Sequence, residues 1–186
     1  MSNVNVKSVI FDGKLELENC GGNVYAHKSF NKIYGYCQYK GTLYEWEFST
    51  FAGYRGNFAS SPDTPCVQAI VPSYVPDDPI YNKGFDLHDW LYSVCGEFYN
   101  ETLDKYERFS RNDVDAFAKG IMYLSPTVKN TWKKVPFKWL RSFGRWLRCD
   151  IMDTSVGLFA GGKKHWGNDS YSSRCYAKMT MREVKK

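Results

Sequence analysis

The stretch Gly84-Phe85-Asp86-Leu87-His88-Asp89-Trp90-Leu91-Tyr92 places one of only three histidines beside a carboxylate and four residues before a tyrosine. Residues four apart share a face of a helix, so His88 and Tyr92 are expected to point the same way. Asp89 lies about 100° further round the helix, where it is available for a separate role. Leu87 and Leu91 form an apolar stripe beside this pair. The stretch therefore predicts a helix that carries a half-buried polar site.

Three helical segments are predicted around this stretch, over about residues 84–94, 112–124 and 128–148. A loop that contains Gly96 and Asn100 separates the first two segments. The second begins at good N-cap residues in 110–113, keeps helical apolar spacing, and ends at Ser125-Pro126. Pro136 marks a kink or the true start of the third segment.

The N-terminal part predicts antiparallel strands. Residues 6–11 and 14–18 flank Asp12-Gly13, a hairpin turn signal, and residues 34–39 and 42–49 flank the weaker signal Lys40-Gly41. Residues 42–48 alternate with period two, which puts Tyr44, Trp46 and Phe48 on one face. We therefore expect an antiparallel β-meander with one aromatic face over residues 1–50.

Prolines dominate the next part of the chain. Residues 51–82 contain five prolines and are expected to form a loop, with one short strand at 67–71. The fold class is thus α+β: the meander, the Pro-rich loop, and two or three helices packed on the sheet. We expect a single domain over residues 1–176, with its helical part at 83–148, and a disordered basic tail at 177–186.

Composition restricts the classes of protein that the chain can represent. The 186 residues fit one domain, and 43% of them are hydrophobic, which is sufficient for a core. The first residues are polar, which argues against a secretory signal, and no apolar run is long enough to cross a membrane. The six cysteines form no CxxC pair, so we expect reduced structural thiols and no zinc cluster.

A catalytic site is the first functional hypothesis for the two helices after residue 83. If they pack antiparallel, Asp113 or Asp115 reaches one nitrogen of His88, fixes its tautomer and raises its basicity. The other nitrogen is then able to activate a water molecule. Tyr92 would hydrogen-bond the orienting carboxylate, and Asp89 would bind a cation. The spacing does not choose between Asp113 and Asp115.

A structural network is the alternative hypothesis for the same residues. A buried histidine with a hydrogen-bond partner and a helix-capping aspartate give the same pattern without any chemistry. The protein would then act as a non-catalytic phage accessory or virion component. A third hypothesis is a host-defence antagonist that binds a small ligand in the same cleft. An open pocket at His88 favours chemistry or ligand binding, whereas a sealed and fully hydrogen-bonded His88 would contradict the enzyme hypothesis.

Three groups of residues resemble the phage and prophage family catalogued as domain of unknown function 1353. They are 53–62, then His88–Tyr92 with Ser110-Arg111 and Asp115, and finally 158–161 with Trp166. The resemblance spans roughly residues 43–166. Asn57 stands where the family usually has Asp, and Val114 where it usually has Ala. The resemblance implies a phage protein with virion proteins as partners. Since no secretory signal or membrane span is predicted, the expected location is the host cytoplasm or the virion.

The order HDxxY followed by a distant Asp is also similar to phospholipases of the A2 type. That similarity implies His88 as general base, Asp89 as calcium ligand, Tyr92 as support and Asp115 as orienter. The Gly-rich calcium loop of those enzymes has no counterpart, since residues 72–84 contain one glycine and three prolines. The hypothesis is therefore a hydrolase, directed at lipids if calcium binds.

The third helical segment is amphipathic and basic. Trp132, Trp139 and Trp146 repeat every seventh residue, with lysines and arginines on the opposite side and no acidic residue between. We expect the tryptophan face to cover the aromatic face of the meander. The alternative is an interfacial helix that lies on an anionic membrane surface through residues 132–148. Nucleic acid is not an expected partner, since no groove-binding motif is present.

Overall fold

A computed structural model describes residues 2–21, 24–57, 74–130, 133–159, 166–167 and 175–185. They form an α+β fold, which confirms the predicted class. Within this part of the chain, no helix is both long enough and apolar enough to cross a bilayer.

Ten strands are described. They are β1 Val4–Val6, β2 Ile10–Gly13, β3 Leu17–Asn19, β4 Val24–His27, β5 Asn31–Tyr39, β6 Thr42–Thr50, β7 Arg55–Asn57, β8 Glu97–Asn100, β9 Lys105–Arg108 and β10 Ala177–Glu183. The larger sheet has the order β1-β5-β6-β10-β8-β9, with β2 also paired to β5. The smaller sheet has the order β3-β4-β7.

Four helices are described. They are α1 Pro79–Ser93, α2 Arg111–Leu124, α3 Pro126–Lys129 and α4 Lys138–Phe159. Helices α1 and α2 cover the inner face of the larger sheet, where Trp90 packs on Phe48 and Phe117 packs on Trp46. The predicted aromatic face of β6 is therefore the core face.

The β5–β6 hairpin forms where the sequence predicts it. Lys40 and Gly41 both have positive φ, 50° and 86°, as a two-residue turn of this type requires. Trp46 and Phe48 are buried, whereas Leu43 on the other face is exposed. Period-two alternation therefore correctly predicted which face of this strand is buried.

The hairpin predicted at Asp12-Gly13 is wrong. Both residues lie inside β2, which pairs with β5 rather than with the strand that follows it. The nine-residue β5 is long enough to pair with β1 at one end and β2 at the other. Strand β3 pairs instead with β4 in the smaller sheet. The N-terminal part is thus not a continuous meander.

The disordered tail predicted at 177–186 is also wrong for most of its length. Strand β10 lies inside the larger sheet, antiparallel to β6 and parallel to β8. Ala177, Met179 and Met181 are buried on the core face. Their alternation with Lys178, Thr180 and Arg182 is a strand pattern that the basic terminus obscured.

The loop predicted between the first two helices contains the hairpin β8–β9. Cys95 and Gly96 end α1 with positive φ, 56° and 74°, and the chain then turns directly into β8. Phe98 of β8 is buried and stacks on Phe109 at a centroid distance of 4.3 Å. Aromatic packing therefore outweighs the turn-forming residues that favoured a loop.

Helix boundaries agree with the prediction within one residue for α2 and for the C-terminal end of α1. Helix α1 begins at Pro79, five residues earlier than predicted, because proline is well tolerated at the first helical position and Asp78 caps the end. The predicted third segment divides into α3 and α4. The strand predicted at 67–71 lies outside the described residues.

Candidate functional site

The site lies where α1 and α2 pack together. Asp78 caps α1 by accepting a hydrogen bond from the backbone of Tyr81. Ser110 caps α2 in a capping box with Asp113. Leu87 and Leu91 of α1 are completely buried. This apolar stripe fixes the rotation of α1 and turns the adjacent polar face, with His88, toward α2.

His88 lies between two carboxylates. Its Nε2 atom is 3.1 Å from Oδ1 of Asp115, and its Nδ1 atom is 3.3 Å from Oδ1 of Asp89. The hydroxyl of Tyr92 donates to the same oxygen of Asp115 at 2.6 Å. The rings of His88 and Tyr92 are 4.2 Å apart, as four-residue spacing predicts. The structure thus brings His88, Tyr92 and Asp115 together.

The two aspartates at the start of α2 have different partners. Asp113 accepts hydrogen bonds from Ser110, from the hydroxyl of Ser2 at 3.1 Å and from the backbone of Asn3 at 2.7 Å. It caps the helix and ties the N-terminus to it. Asp115 is therefore the carboxylate of α2 that contacts His88.

The carboxylates change the protonation of His88. Burial alone lowers the pKa of His88, but hydrogen bonds to Asp115 and Asp89 outweigh it and raise that pKa from 6.5 to about 9. Burial raises the pKa of Asp115, whereas the hydrogen bonds from His88 and Tyr92 lower it overall. At neutral pH His88 is therefore an imidazolium that lies between Asp89 and the ionised carboxylate of Asp115. His88 is only 6% exposed, and a carboxylate lies at each of its ring nitrogens. In this arrangement His88 is enclosed and hydrogen-bonded, which favours the structural hypothesis unless Asp89 moves.

Asp89, the predicted calcium ligand, has one oxygen on the imidazole of His88. A calcium ion needs six to eight oxygen ligands. Across the described ranges, no group of three or more His, Cys, Asp or Glu residues is arranged to hold a metal ion. Calcium therefore stays a prediction, which titration calorimetry with calcium chloride would test.

A second histidine–aspartate pair lies on the opposite side of α1, and sequence analysis missed it. Nε2 of His27 is 3.1 Å from Oδ2 of Asp86, and Nζ of Lys83 is 3.4 Å from the same oxygen. The three side chains are fully buried. The ammonium of Lys83 also donates to Oγ1 of Thr50 at 2.6 Å. This buried network links α1 to β4 and β6.

Part of this network had a signal in the sequence. Lys83 and Asp86 are three residues apart, which is the spacing of an ion pair on a helix. His27 comes from a distant strand and had no such signal.

Gly56 leaves the space that the Asp86 carboxylate occupies, because a Cβ atom at residue 56 would lie 2.5 Å from Oδ1 of Asp86. Asn57 pairs through its backbone with Val24, and its side chain lies outside the described part.

The resemblances to known families rest only on the short sequence motifs described above. No protein-family model, curated protein or solved structure matches the chain.

Proposed function

We propose that the protein is a phage-type hydrolase in which His88 acts as general base at the α1–α2 junction. The observation that carries the proposal is the chain of hydrogen bonds from Tyr92 to Asp115 to Nε2 of His88. A carboxylate on one ring nitrogen fixes the tautomer and leaves the opposite nitrogen to take a proton from water. That water would attack an ester or amide carbonyl. The phage assignment rests on the motif resemblance.

Asp89 determines when His88 is able to act. In the resting arrangement Asp89 accepts a hydrogen bond at Nδ1, the nitrogen that would receive the proton. With a pKa of about 9, roughly 1% of His88 is neutral at pH 7. We infer that Asp89 turns away when substrate and water enter. The neutral amide of asparagine at this position would lower the pKa of His88 and increase the basic form.

Hydrolysis assays with three variants test the proposal. Nitrophenyl esters and vesicles of anionic phospholipid serve as substrates, from about pH 6 to about pH 10. The rate of the wild type is expected to rise with pH, with an inflection near the pKa of His88. Asp89→Asn should move the inflection to lower pH and raise the rate at neutral pH, and His88→Gln should remove activity throughout. Asp113→Asn is the matched control and should keep the wild-type profile.

A non-catalytic accessory or virion protein is the second candidate. It is favoured by the burial of His88 and by the carboxylate at each of its ring nitrogens. Such a cluster holds two helices together without chemistry, and the protein would act by binding virion proteins. Absence of hydrolysis at every pH, with His88→Gln lowering only the melting temperature, would support this candidate and exclude the first.

A further inference from the structure

The outer side of α4 carries a group of exposed aromatic side chains. Phe137, Trp139, Phe143 and Trp146 are each about half exposed or more, and Trp139 is 68% exposed. Trp139, Phe143 and Trp146 follow the spacing of one helix face, and the rings of Phe143 and Trp146 are 5.9 Å apart. The prediction that the tryptophan face covers the sheet is therefore wrong for Trp139 and Trp146. Trp132 lies outside the described residues.

The opposite side of α4 faces the protein, so the aromatic side is fixed outward. Gly144 is buried, and α4 contacts α2 and α3. Arg145 donates through Nη2 to the backbone oxygen of Lys129, the last residue of α3, at 2.5 Å. A cluster of large apolar side chains that is exposed to solvent commonly marks an interaction surface.

Positive charge is concentrated around these aromatics. Residues 129–148 contain seven lysines and arginines and no acidic residue, whereas the whole chain has a net charge of +5. The remainder of the chain is thus slightly acidic, with a net charge of −2. Lys133, Lys134 and Lys138 are exposed, and Lys138 lies in sequence between the exposed Phe137 and Trp139. We call these three lysines and the four aromatics the aromatic-basic surface.

We propose that the aromatic-basic surface binds an anionic lipid bilayer, with α4 lying in the plane of the interface. Tryptophan and phenylalanine rings insert at the level of the headgroups, and lysines at the rim contact lipid phosphates. A nucleic-acid duplex would engage the cations but would not require rings on one outward face. A single strand also stacks on exposed rings, so its binding is an outcome of the test. A second copy of the chain would bring two strongly basic surfaces together. This proposal does not depend on the hydrolase proposal.

Co-sedimentation with vesicles tests the proposal. Vesicles of phosphatidylcholine are compared with vesicles that also contain phosphatidylglycerol. The wild type is expected to bind the anionic vesicles more tightly, and added salt should weaken binding. The double variant Lys134→Gln/Lys138→Gln should lose about 25-fold in affinity, since each cation near an anionic surface contributes about fivefold. The control Lys14→Gln/Lys28→Gln removes the same charge elsewhere and should bind like the wild type.

Aromatic variants separate insertion from simple charge attraction. Trp139→Ser/Trp146→Ser should lose about tenfold or more in affinity for the anionic vesicles, because apolar area no longer enters the interface. The control Tyr106→Ser removes an equally exposed ring on β9 and should have no effect. The proposal would be overturned if the wild type did not bind anionic vesicles, or if the surface variants and the control variants changed the affinity equally. It would also be overturned if the protein formed a dimer without lipid and the tryptophan variant lost that dimer, since the rings would then contact a second copy of the chain. Tighter binding of a single-stranded RNA oligonucleotide than of the anionic vesicles would overturn it too.

Discussion

His88 and Asp115 are 27 residues apart in sequence, and their side chains are 3.1 Å apart in the structure. The contact joins α1 to α2 at the point where Tyr92 also donates to Asp115. One carboxylate oxygen thus receives two hydrogen bonds from the same face of α1. The arrangement holds the imidazole in one orientation, which both a catalytic base and a structural clamp require.

Replacing Asp115 should change the titration of His88. In Asp115→Asn the pKa of His88 is expected to fall from about 9 toward its ordinary value of 6.5, because one of two carboxylate partners loses its charge. Unfolding free energy should fall by about 2 kcal/mol, as for a lost hydrogen bond between charged groups. NMR titration of the imidazole measures the first effect, and urea denaturation the second.

Asp113→Asn provides the control for that experiment. It weakens the capping box of α2 at a cost of about 1 kcal/mol but leaves the contacts of His88 intact. The pKa of His88 should therefore stay near 9 in this variant. An equal fall in both variants would show that the contact between His88 and Asp115 does not set the titration.

The stability of the wild type should depend on pH through His88. The folded pKa of about 9 lies above the ordinary value of 6.5, so the folded protein binds the proton more tightly. This stabilisation is complete below about pH 6.5, decreases as the pH rises from about 6.5 to about 9, and is lost above about pH 9. It amounts to about 3 kcal/mol.

The comparison with His88→Gln isolates this effect. Burial lowers the pKa of Lys83 to about 8, so that residue gives a trend of opposite sign at alkaline pH in both proteins. The difference in unfolding free energy between wild type and variant should therefore narrow between about pH 6.5 and about pH 9. A constant difference over that range would mean that His88 is neutral in the folded protein.

Local patterns predicted the parts of the fold that depend on neighbouring residues. Alternation in β6 gave the core face, and the spacing of His88 and Tyr92 gave their shared face. The choice between Asp113 and Asp115 was also available, because Ser110 and Asp113 form the Ser-x-x-Asp pattern of a capping box. That pattern commits Asp113 to the helix end and leaves Asp115 for His88.

Long-range pairing limited the remaining predictions. The position of β10 between β6 and β8 depends on competition among distant strands, which no local spacing encodes. The contact of His27 with Asp86 was not predictable from local spacing either, because it joins a strand of the smaller sheet to α1. The packed orientation of α4 was the expected one and the outward one the alternative, because local patterns did not predict that α1 and α2 already cover the sheet. An amphipathic pattern shows that a helix has an apolar face, but it does not identify what that face contacts.

The buried network around Asp86 should be far more important for stability than a surface ion pair. Asp86→Asn leaves the ammonium of Lys83 buried without its counter-charge, which should cost about 3–5 kcal/mol. Glu47→Gln removes the partner of Lys32 in a partly exposed pair at 3.0 Å and should cost less than about 1 kcal/mol. Urea denaturation of both variants makes the comparison. Similar losses would mean that Lys83 is neutral in the folded protein.

Strand β10 should be necessary for folding although it lies near the C-terminus. Deleting residues 177–186 removes the strand between β6 and β8, exposes their paired backbone groups and empties the space that Met179 and Met181 fill. The shortened chain should lack a cooperative thermal transition by circular dichroism. Deleting only the last two residues should shift the melting temperature by less than about 2 °C, because β10 ends before them.

A pair of point variants tests β10 in the full-length chain. Met179→Asp puts a charge into the core and should cost more than about 3 kcal/mol, whereas Lys178→Asp changes the exposed face of the same strand and should cost less than about 1 kcal/mol. The two side chains are adjacent in sequence, so a disordered segment would tolerate both changes equally. Only a strand with one buried face produces a large difference between neighbours. Equal losses of stability in the two variants would therefore contradict the position of β10 between β6 and β8.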